Sequence, residues 1–115
     1  MAQYLILIYE DEAGYANAGQ DVFNEVMGGH TKFAENNGAA MKGGNALQPT
    51  STATSIRSNG SGNFTVTDGP FVETKEALGG YYLIEAADLD EATAIAKQVP
   101  AKFGGLEVRP IMVFA

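Results

Sequence analysis

The order of strand-like and helix-like segments predicts an α+β fold, a ferredoxin-like βαβ(ββ)αβ sandwich. Two observations lead to this fold class. Two helical patterns each lie between apolar, strand-like segments, and a hairpin pattern lies between these two units. No linker or low-complexity tract divides the chain, so residues 1–115 are expected to form a single domain with both helices on one face of the sheet.

The first unit begins with a continuous apolar run over residues 3–9, which predicts a buried strand. Apolar residues then recur at spacings of three and four over residues 21–35, which predicts a helix. Gly28-Gly29 is expected to interrupt this helix, because each glycine lowers helix stability by about 1 kcal/mol relative to alanine. Residues 36–38 predict a left-handed cap, and residues 39–47 predict a weak strand.

A hairpin follows in the middle of the chain. Residues 52–57 and 63–67 predict its two strands, and the Asn- and Gly-rich residues 58–62 predict the turn between them. The next strand is expected over residues 81–86. The second strand of the hairpin leads directly into Asp68.

The second helix has a clear start signal. Asp88 is predicted to cap it and Glu91 to complete a capping box, with Pro100 at its end. Its inward-facing residues are expected to be Leu89, Ala92, Ile95, Ala96 and Val99. A final strand over residues 106–114 contains Pro110, which indicates an edge, a bulge or an interface position.

The strands around residues 4–9 and 81–84 are apolar at consecutive positions, which is typical of strands buried on both faces. Two helices on one face cannot cover both. A second copy of the chain packing sheet to sheet would cover the other face, so a homodimer is expected.

The charge and residue composition exclude several classes of function. The net charge is −7, and the seven basic residues are scattered singly, which argues against binding to nucleic acid or to an anionic membrane. The chain has no cysteine and one histidine, so no metal site and no cofactor are predicted. The start of the chain lacks the pattern of a signal peptide, and a cytoplasmic location is expected.

The sequence Asp68-Gly69-Pro70-Phe71 forms the most informative motif. Pro70 fixes its own backbone and restricts Gly69, so Asp68 should lie on a stiff turn. Its carboxylate could orient His30 or act as a general base. The alternative is that it caps backbone N–H groups of its own turn.

His30 is the only imidazole in the chain and falls on the apolar stripe of the first helix. Its position predicts either a proton-transferring group that faces a pocket or a core histidine satisfied by one carbonyl group. With Asp68, it is a candidate catalytic residue.

Four further side chains are candidate substrate-binding residues. Glu73 and Lys75 could rim a ligand pocket, although a short charge run is more often a solvated loop. Four tyrosines, Tyr4, Tyr9, Tyr81 and Tyr82, are expected mostly in the core or an interface, but one of them could present its hydroxyl group to a cavity, and Tyr81 is the candidate. Arg109 could bind a ligand carboxylate, but a structural partner among the acids of residues 68–76 is favoured.

The sequence Asp68-Gly69-Pro70-Phe71 resembles the signature of the YCII-related family, in particular its DGPF branch. The similarity extends over nearly the whole chain, through the Asp68–Phe71 motif and through Leu5-Ile6-Leu7-Ile8-Tyr9, Leu47-Gln48-Pro49, Ala53-Thr54, Gly79-Gly80-Tyr81-Tyr82, Asp88-Leu89-Asp90-Glu91-Ala92 and Glu107-Val108-Arg109-Pro110. The resemblance implies a ferredoxin-like subunit that assembles as a dimeric α+β barrel. It implies no assigned reaction, although related proteins have been proposed to use a His–Asp pair in a pocket lined by the dimer.

Two functions remain open at this point. The first is a homodimeric domain that binds a small organic molecule, with His30 and Asp68 as an acid/base pair of a cofactor-free enzyme that abstracts a proton or hydrolyses its substrate. The second is a non-catalytic interaction or regulatory module, since some DGPF proteins resemble proteins encoded near extracytoplasmic-function sigma factors. A concave pocket with convergent polar groups would favour the first.

Overall fold

A computed structural model describes residues Met1–Phe114 and has mixed α+β architecture. The strands are β1 (Ala2–Glu10), β2 (Met41–Ala46), β3 (Thr54–Ser58), β4 (Phe64–Asp68), β5 (Ala77–Ala86) and β6 (Gly104–Pro110). The helices are α1 (Glu12–Asn17), α2 (Gln20–Asn36) and α3 (Leu89–Ala96), and a single 3-10 turn spans Thr50–Thr52. Within the described residues, no helix is long and apolar enough to cross a membrane.

Four strands form one antiparallel sheet in the order β2-β5-β1-β6, and β3 pairs with β4 in a separate two-stranded sheet. The central strand β1 therefore pairs with two strands from the last third of the chain. Pro110 lies in the edge strand β6, which confirms the edge position predicted for it. The strand ends there, four residues before the predicted end, and its last paired residue lies opposite Tyr4 of β1.

One face of this sheet, here called the helix-covered face, packs against α2 and α3. It carries the even-numbered residues of β1, of which Ile6 is fully buried. Phe33 of α2 and Ile95 of α3 join Ile6 and Ile84 in one hydrophobic core. The expectation that both long helices share one face is therefore met.

The opposite face, here called the open face, carries the odd-numbered residues of β1. Leu5 and Leu7 are half-buried, and they lie opposite Leu83 and Tyr81 in the register with β5. These side chains contribute nothing to the hydrophobic core, which contains only residues of the other face. The consecutive apolar residues of β1 thus serve two different surfaces.

Helix α2 is continuous through Gly28-Gly29, contrary to the predicted interruption. A Cβ atom at Gly29 would lie 2.7 Å from Cγ of Pro100, so this glycine allows the helix to approach the segment after α3. The predicted left-handed cap is also wrong: Asn37 has φ −127°, and its side-chain Nδ2 donates to the Phe33 carbonyl at 2.9 Å. The asparagine amide performs the capping that the glycine was expected to perform.

Helix α3 begins as predicted. The Glu91 N–H donates to Oδ1 of Asp88 at 2.9 Å, and Glu91 Oε1 accepts from the Ala87 N–H at 3.3 Å. The inward prediction holds for four of its five residues, but Leu89 is exposed because it lies in the first turn, on the solvent side. The helix ends at Ala96, and hydrogen-bonded turns carry the chain to Pro100.

The sequence did not predict the short helix α1. Asp11 caps it by accepting a hydrogen bond from the Ala13 N–H at 3.0 Å, and Glu12 Oε1 accepts from the Thr50 N–H at 3.0 Å. This second bond ties α1 to the 3-10 turn after β2. The acids that follow β1 thus organise a local structure rather than only ending a strand.

The β3–β4 hairpin confirms the predicted turn, where Gly60 and Gly62 both have φ +84°. On one side of the hairpin, Ile56, Phe64 and Val66 are 56%, 66% and 65% exposed. On the other side, Arg57 lies over the ring of Phe71, 4.5 Å from its centroid. The hairpin therefore presents an apolar surface that its own chain does not cover.

Candidate functional site

A cavity of about 550 Å³ opens on the helix-covered face, between α2, the strands β2 and β5 and the loop after β2. Its walls are mostly apolar, with Phe23, Val26 and Met27 from α2 and Ala46 and Leu47 from the other side. Polar groups enter it at Glu10, Glu12, Tyr15, His30 and Tyr82. A cavity of this size and composition is typical of a small-molecule site.

Glu10 ends β1 on the helix-covered face and is only 9% exposed. The Tyr15 hydroxyl group of α1 donates to its carboxylate, at 2.7 Å from Oε2 and 2.9 Å from Oε1, and the Phe103 N–H donates to Oε2 at 3.2 Å. The Tyr15 ring also packs edge-on against Phe103, with 4.7 Å between centroids. Burial and the Glu10 carboxylate raise the pKa of Tyr15 far above its usual value, so its hydroxyl group remains a donor.

His30 lies one turn before Phe33 on α2, facing the sheet. Its Nδ1 is 2.7 Å from the hydroxyl oxygen of Tyr82, and the Tyr82 ring packs against Phe33 with 4.7 Å between centroids. Burial lowers the pKa of His30 below its usual value of 6.5, and the negative charge of Glu10 partly opposes this shift. Burial also raises the pKa of Tyr82. Near neutral pH the pair is therefore an uncharged imidazole beside an uncharged phenol.

Asp68 lies elsewhere in the described chain. It ends β4 opposite Thr54, on the same side of the hairpin as Val66, and it is exposed. Among the described residues, no hydrogen bond or ion pair joins it to His30, and the carboxylate that acts on His30 is Glu10. The pairing of His30 with Asp68 stays a prediction.

The four predicted substrate-binding residues have different surroundings. Tyr81 is among the residues around the cavity, but its register opposite Leu7 places its side chain on the open face. There its hydroxyl oxygen accepts a hydrogen bond from Asn45 Nδ2 at 2.9 Å. Glu73 lines a separate, smaller cavity of about 320 Å³ beside Pro70, and Lys75 is exposed.

Arg109 is exposed on the edge strand and pairs with Glu107, two residues earlier, at 3.9 Å from Nε to Oε2. The prediction that Arg109 pairs with an acid of residues 68–76 is therefore corrected, because its partner is Glu107. Side chains two apart on a strand point to the same face, which brings these two together.

Three polar residues that line the cavity, Glu10, Tyr15 and Tyr82, were not among the predicted site residues. The acid that ends an apolar strand at an inward-facing position was the one available signal for Glu10. Tyr15 could not be found from its spacing, because the short helix that carries it was not predicted. Across residues 1–114, no three His, Asp or Glu side chains are grouped closely enough to hold a metal ion.

Comparisons with known proteins found matches over nearly the whole chain. A family model described as the YCII-related domain matches residues 2–115. An uncharacterized protein of Rhizobium meliloti (strain 1021) is 36% identical over 119 residues, covering 96% of this chain and 93% of the relative.

Proposed function

The chain belongs to the YCII-related domain family, and we propose that it binds a small organic molecule in the α2–sheet cavity and transfers a proton to or from it through His30. The observation that carries this proposal is the cavity itself. Its walls are apolar, and a His30–Tyr82 pair and a buried Glu10–Tyr15 pair both face it. Apolar walls with a few convergent polar groups favour binding, and a histidine among these groups favours acid/base chemistry.

The geometry supports His30 as a base. In the tautomer that carries its proton on Nδ1, His30 donates to the Tyr82 oxygen, and Nε2 is free to accept a proton from a bound molecule. The lowered pKa keeps the imidazole neutral and able to act near pH 7. The negative charge of Glu10 favours the imidazolium ion that proton transfer would form. Proton abstraction from a small organic substrate is the reaction class that fits these groups.

A fragment screen by ligand-observed NMR tests the binding step. Ala46→Phe fills the cavity from an exposed edge strand, and Ala94→Phe makes the same change on the exposed side of α3, which does not line the cavity. We expect fragments that bind the wild type and Ala94→Phe to lose binding to Ala46→Phe. A wild type that binds no fragment, or binding that Ala46→Phe leaves unchanged, would contradict the proposal.

We further propose that the functional unit is a ferredoxin-like homodimer of the DGPF branch, located in the cytoplasm. The strand order β2-β5-β1-β6 supports the ferredoxin-like topology. The half-buried leucines of the open face and the exposed apolar surface of the hairpin support association. The radius of gyration, 16.3 Å, also exceeds the roughly 13 Å expected of a compact chain of this length.

Light scattering at micromolar concentration tests the dimer. We expect about twice the chain mass of 12.1 kDa. Leu7→Lys on the open face should give monomers, whereas Ala94→Lys on exposed α3 should remain dimeric. A wild type that is monomeric and stable would remove this part of the proposal.

A second candidate function is an interaction module whose hairpin binds another protein. The observation that favours it is the exposed apolar surface of Ile56, Phe64 and Val66. If Val66→Ser keeps the dimer mass and the cavity binds no fragment, this function gains support. If Val66→Ser instead dissociates the dimer, the surface is a contact between copies of the chain.

A further inference from the structure

We infer that the cavity selects organic cations: molecules with an apolar body and a protonated amine. This inference rests on the proposed small-molecule function and specifies the class of ligand. The first argument is charge. The cavity is lined by the carboxylates of Glu10 and Glu12, and no lysine or arginine is among its lining residues. His30 adds no positive charge near neutral pH, because burial lowers its pKa.

The second argument is the state of the Glu10 carboxylate. It is nine-tenths buried and receives hydrogen bonds from one hydroxyl group and one backbone N–H, both uncharged donors. Within the described chain, Glu10 forms no ion pair with a lysine or arginine. A buried carboxylate without a cation keeps much of its desolvation cost. A ligand ammonium group would provide the missing positive charge through a charge-assisted hydrogen bond.

The third argument is that the carboxylate retains capacity for another donor. A carboxylate has about four acceptor positions. Tyr15 bridges both oxygens and Phe103 donates only to Oε2, so Oε1 is the less occupied atom. An additional N–H donor from the cavity can bind there without displacing either existing partner.

The walls suit the rest of such a molecule. Val26, Met27 and Leu47 offer aliphatic contact for an apolar body, and Phe23 and Tyr82 provide aromatic rings near the cavity. Aromatic faces attract cations when water is excluded. A carboxylate or phosphate ligand would instead meet Glu10 and Glu12 with no cation to pair with, which disfavours anions.

A trio of similarly shaped probes tests the inference: 2-phenylethylammonium, 2-phenylethanol and phenylacetate. Titration calorimetry or NMR at low salt should show the ammonium probe binding at least about tenfold more tightly than the alcohol, and phenylacetate binding most weakly. Glu10→Gln should remove the preference for the ammonium probe while the alcohol still binds. Glu107→Gln, an exposed carboxylate of the edge strand outside the cavity, should change nothing.

The outcomes separate the inference from the proposed function. If the alcohol or phenylacetate binds the wild type as tightly as the ammonium probe, the cation preference is wrong and the binding function stands. If no probe and no fragment binds, both are wrong. The comparison of the three probes on the wild type decides the matter even if Glu10→Gln does not fold.

Discussion

The two faces of the central sheet differ in how completely one chain satisfies them. On β1, Ile6 of the helix-covered face is fully buried, whereas its neighbour Leu7 on the open face is only half-buried. The helix-covered face contains the hydrophobic core, the cavity and a buried carboxylate with its donors. The open face contains apolar side chains that lie outside the core formed with α2 and α3 in residues 1–114. The same strand thus contributes to folding on one side and, as we propose, to association on the other.

The largest expected effect distinguishes the two faces on β5. Ile84→Ala should lower the free energy of unfolding by about 4 kcal/mol, because Ile84 is fully buried and its truncation leaves a cavity. Leu83→Ala, on the open face, should lower the free energy of unfolding by less than Ile84→Ala in dilute solution. Its cost should grow with protein concentration if that face is covered in a dimer. Denaturant unfolding at two protein concentrations measures both, and equal, concentration-independent losses would contradict the distinction.

Adjacent glycines of β6 provide the second comparison. A Cβ atom at Gly104, opposite Glu10, would lie 1.9 Å from the Tyr9 carbonyl oxygen, whereas a Cβ atom at Gly105 has nothing within 4 Å. Gly104→Ala should therefore lower the free energy of unfolding by about 3 kcal/mol, since the backbone must move to make room. Gly105→Ala should change it by no more than about 0.5 kcal/mol. Thermal unfolding of both variants measures the difference. A large loss for Gly105→Ala would mean that the open face is already tightly covered.

The hairpin repeats the contrast on a smaller scale. Ser55 is buried, and its hydroxyl group donates to the Gly69 carbonyl at 2.5 Å, whereas Ile56 beside it is 56% exposed. Ser55→Ala should cost about 1 kcal/mol, because it leaves that carbonyl without its donor. Ile56→Ala should cost less unless the exposed side is an interface. Urea unfolding of the two variants would contradict this if Ile56→Ala proved the more costly.

The smallest effect concerns His30 and pH. Burial lowers its pKa, so between the folded-state pKa and about 6.5 the unfolded chain binds more protons than the folded chain. The neutral His30 therefore contributes to the free energy of unfolding in full above about pH 6.5, and this contribution is lost as pH falls through the folded-state pKa. His30→Asn should therefore lose less stability than the wild type between pH 8 and pH 5. An identical pH dependence in both proteins would contradict a lowered pKa.

NMR titration of the single histidine separates its two candidate partners. Glu10→Gln should lower the pKa of His30 further, because the negative charge of Glu10 raises it. Asp68→Asn is the matched substitution on the hairpin. A lower His30 pKa in that variant would support the predicted His30–Asp68 pair, and an unchanged titration would remove it.

The sequence predicted those elements whose signals are local. The Asp88–Glu91 capping box and the Gly60–Gly62 turn depend on residues within a few positions of each other, and both form as predicted. The predicted break at Gly28-Gly29 was wrong, because the close approach of Gly29 to Pro100 outweighs the low helix propensity of glycine.

The candidate site was predicted only in part for the same reason. His30 was proposed from the sequence and lies at the cavity, whereas Tyr81, also proposed, points its side chain to the open face. The contact of Glu10 with Phe103 joins residues 93 positions apart, and Tyr82 meets His30 across 52 positions. Spacing along a single chain has no information about such contacts.

The long-range bond between Glu10 and Phe103 also determines when the molecule can fold during synthesis. The ribosome makes β1 first, but both of its sheet partners, β5 and β6, come from residue 77 onwards. Until Phe103 has emerged, the Glu10 carboxylate lacks one of its donors and must remain hydrated. Closing a loop of this length also has a large entropic cost. We therefore expect this domain to fold as one unit only after residues 77–110 have been synthesised.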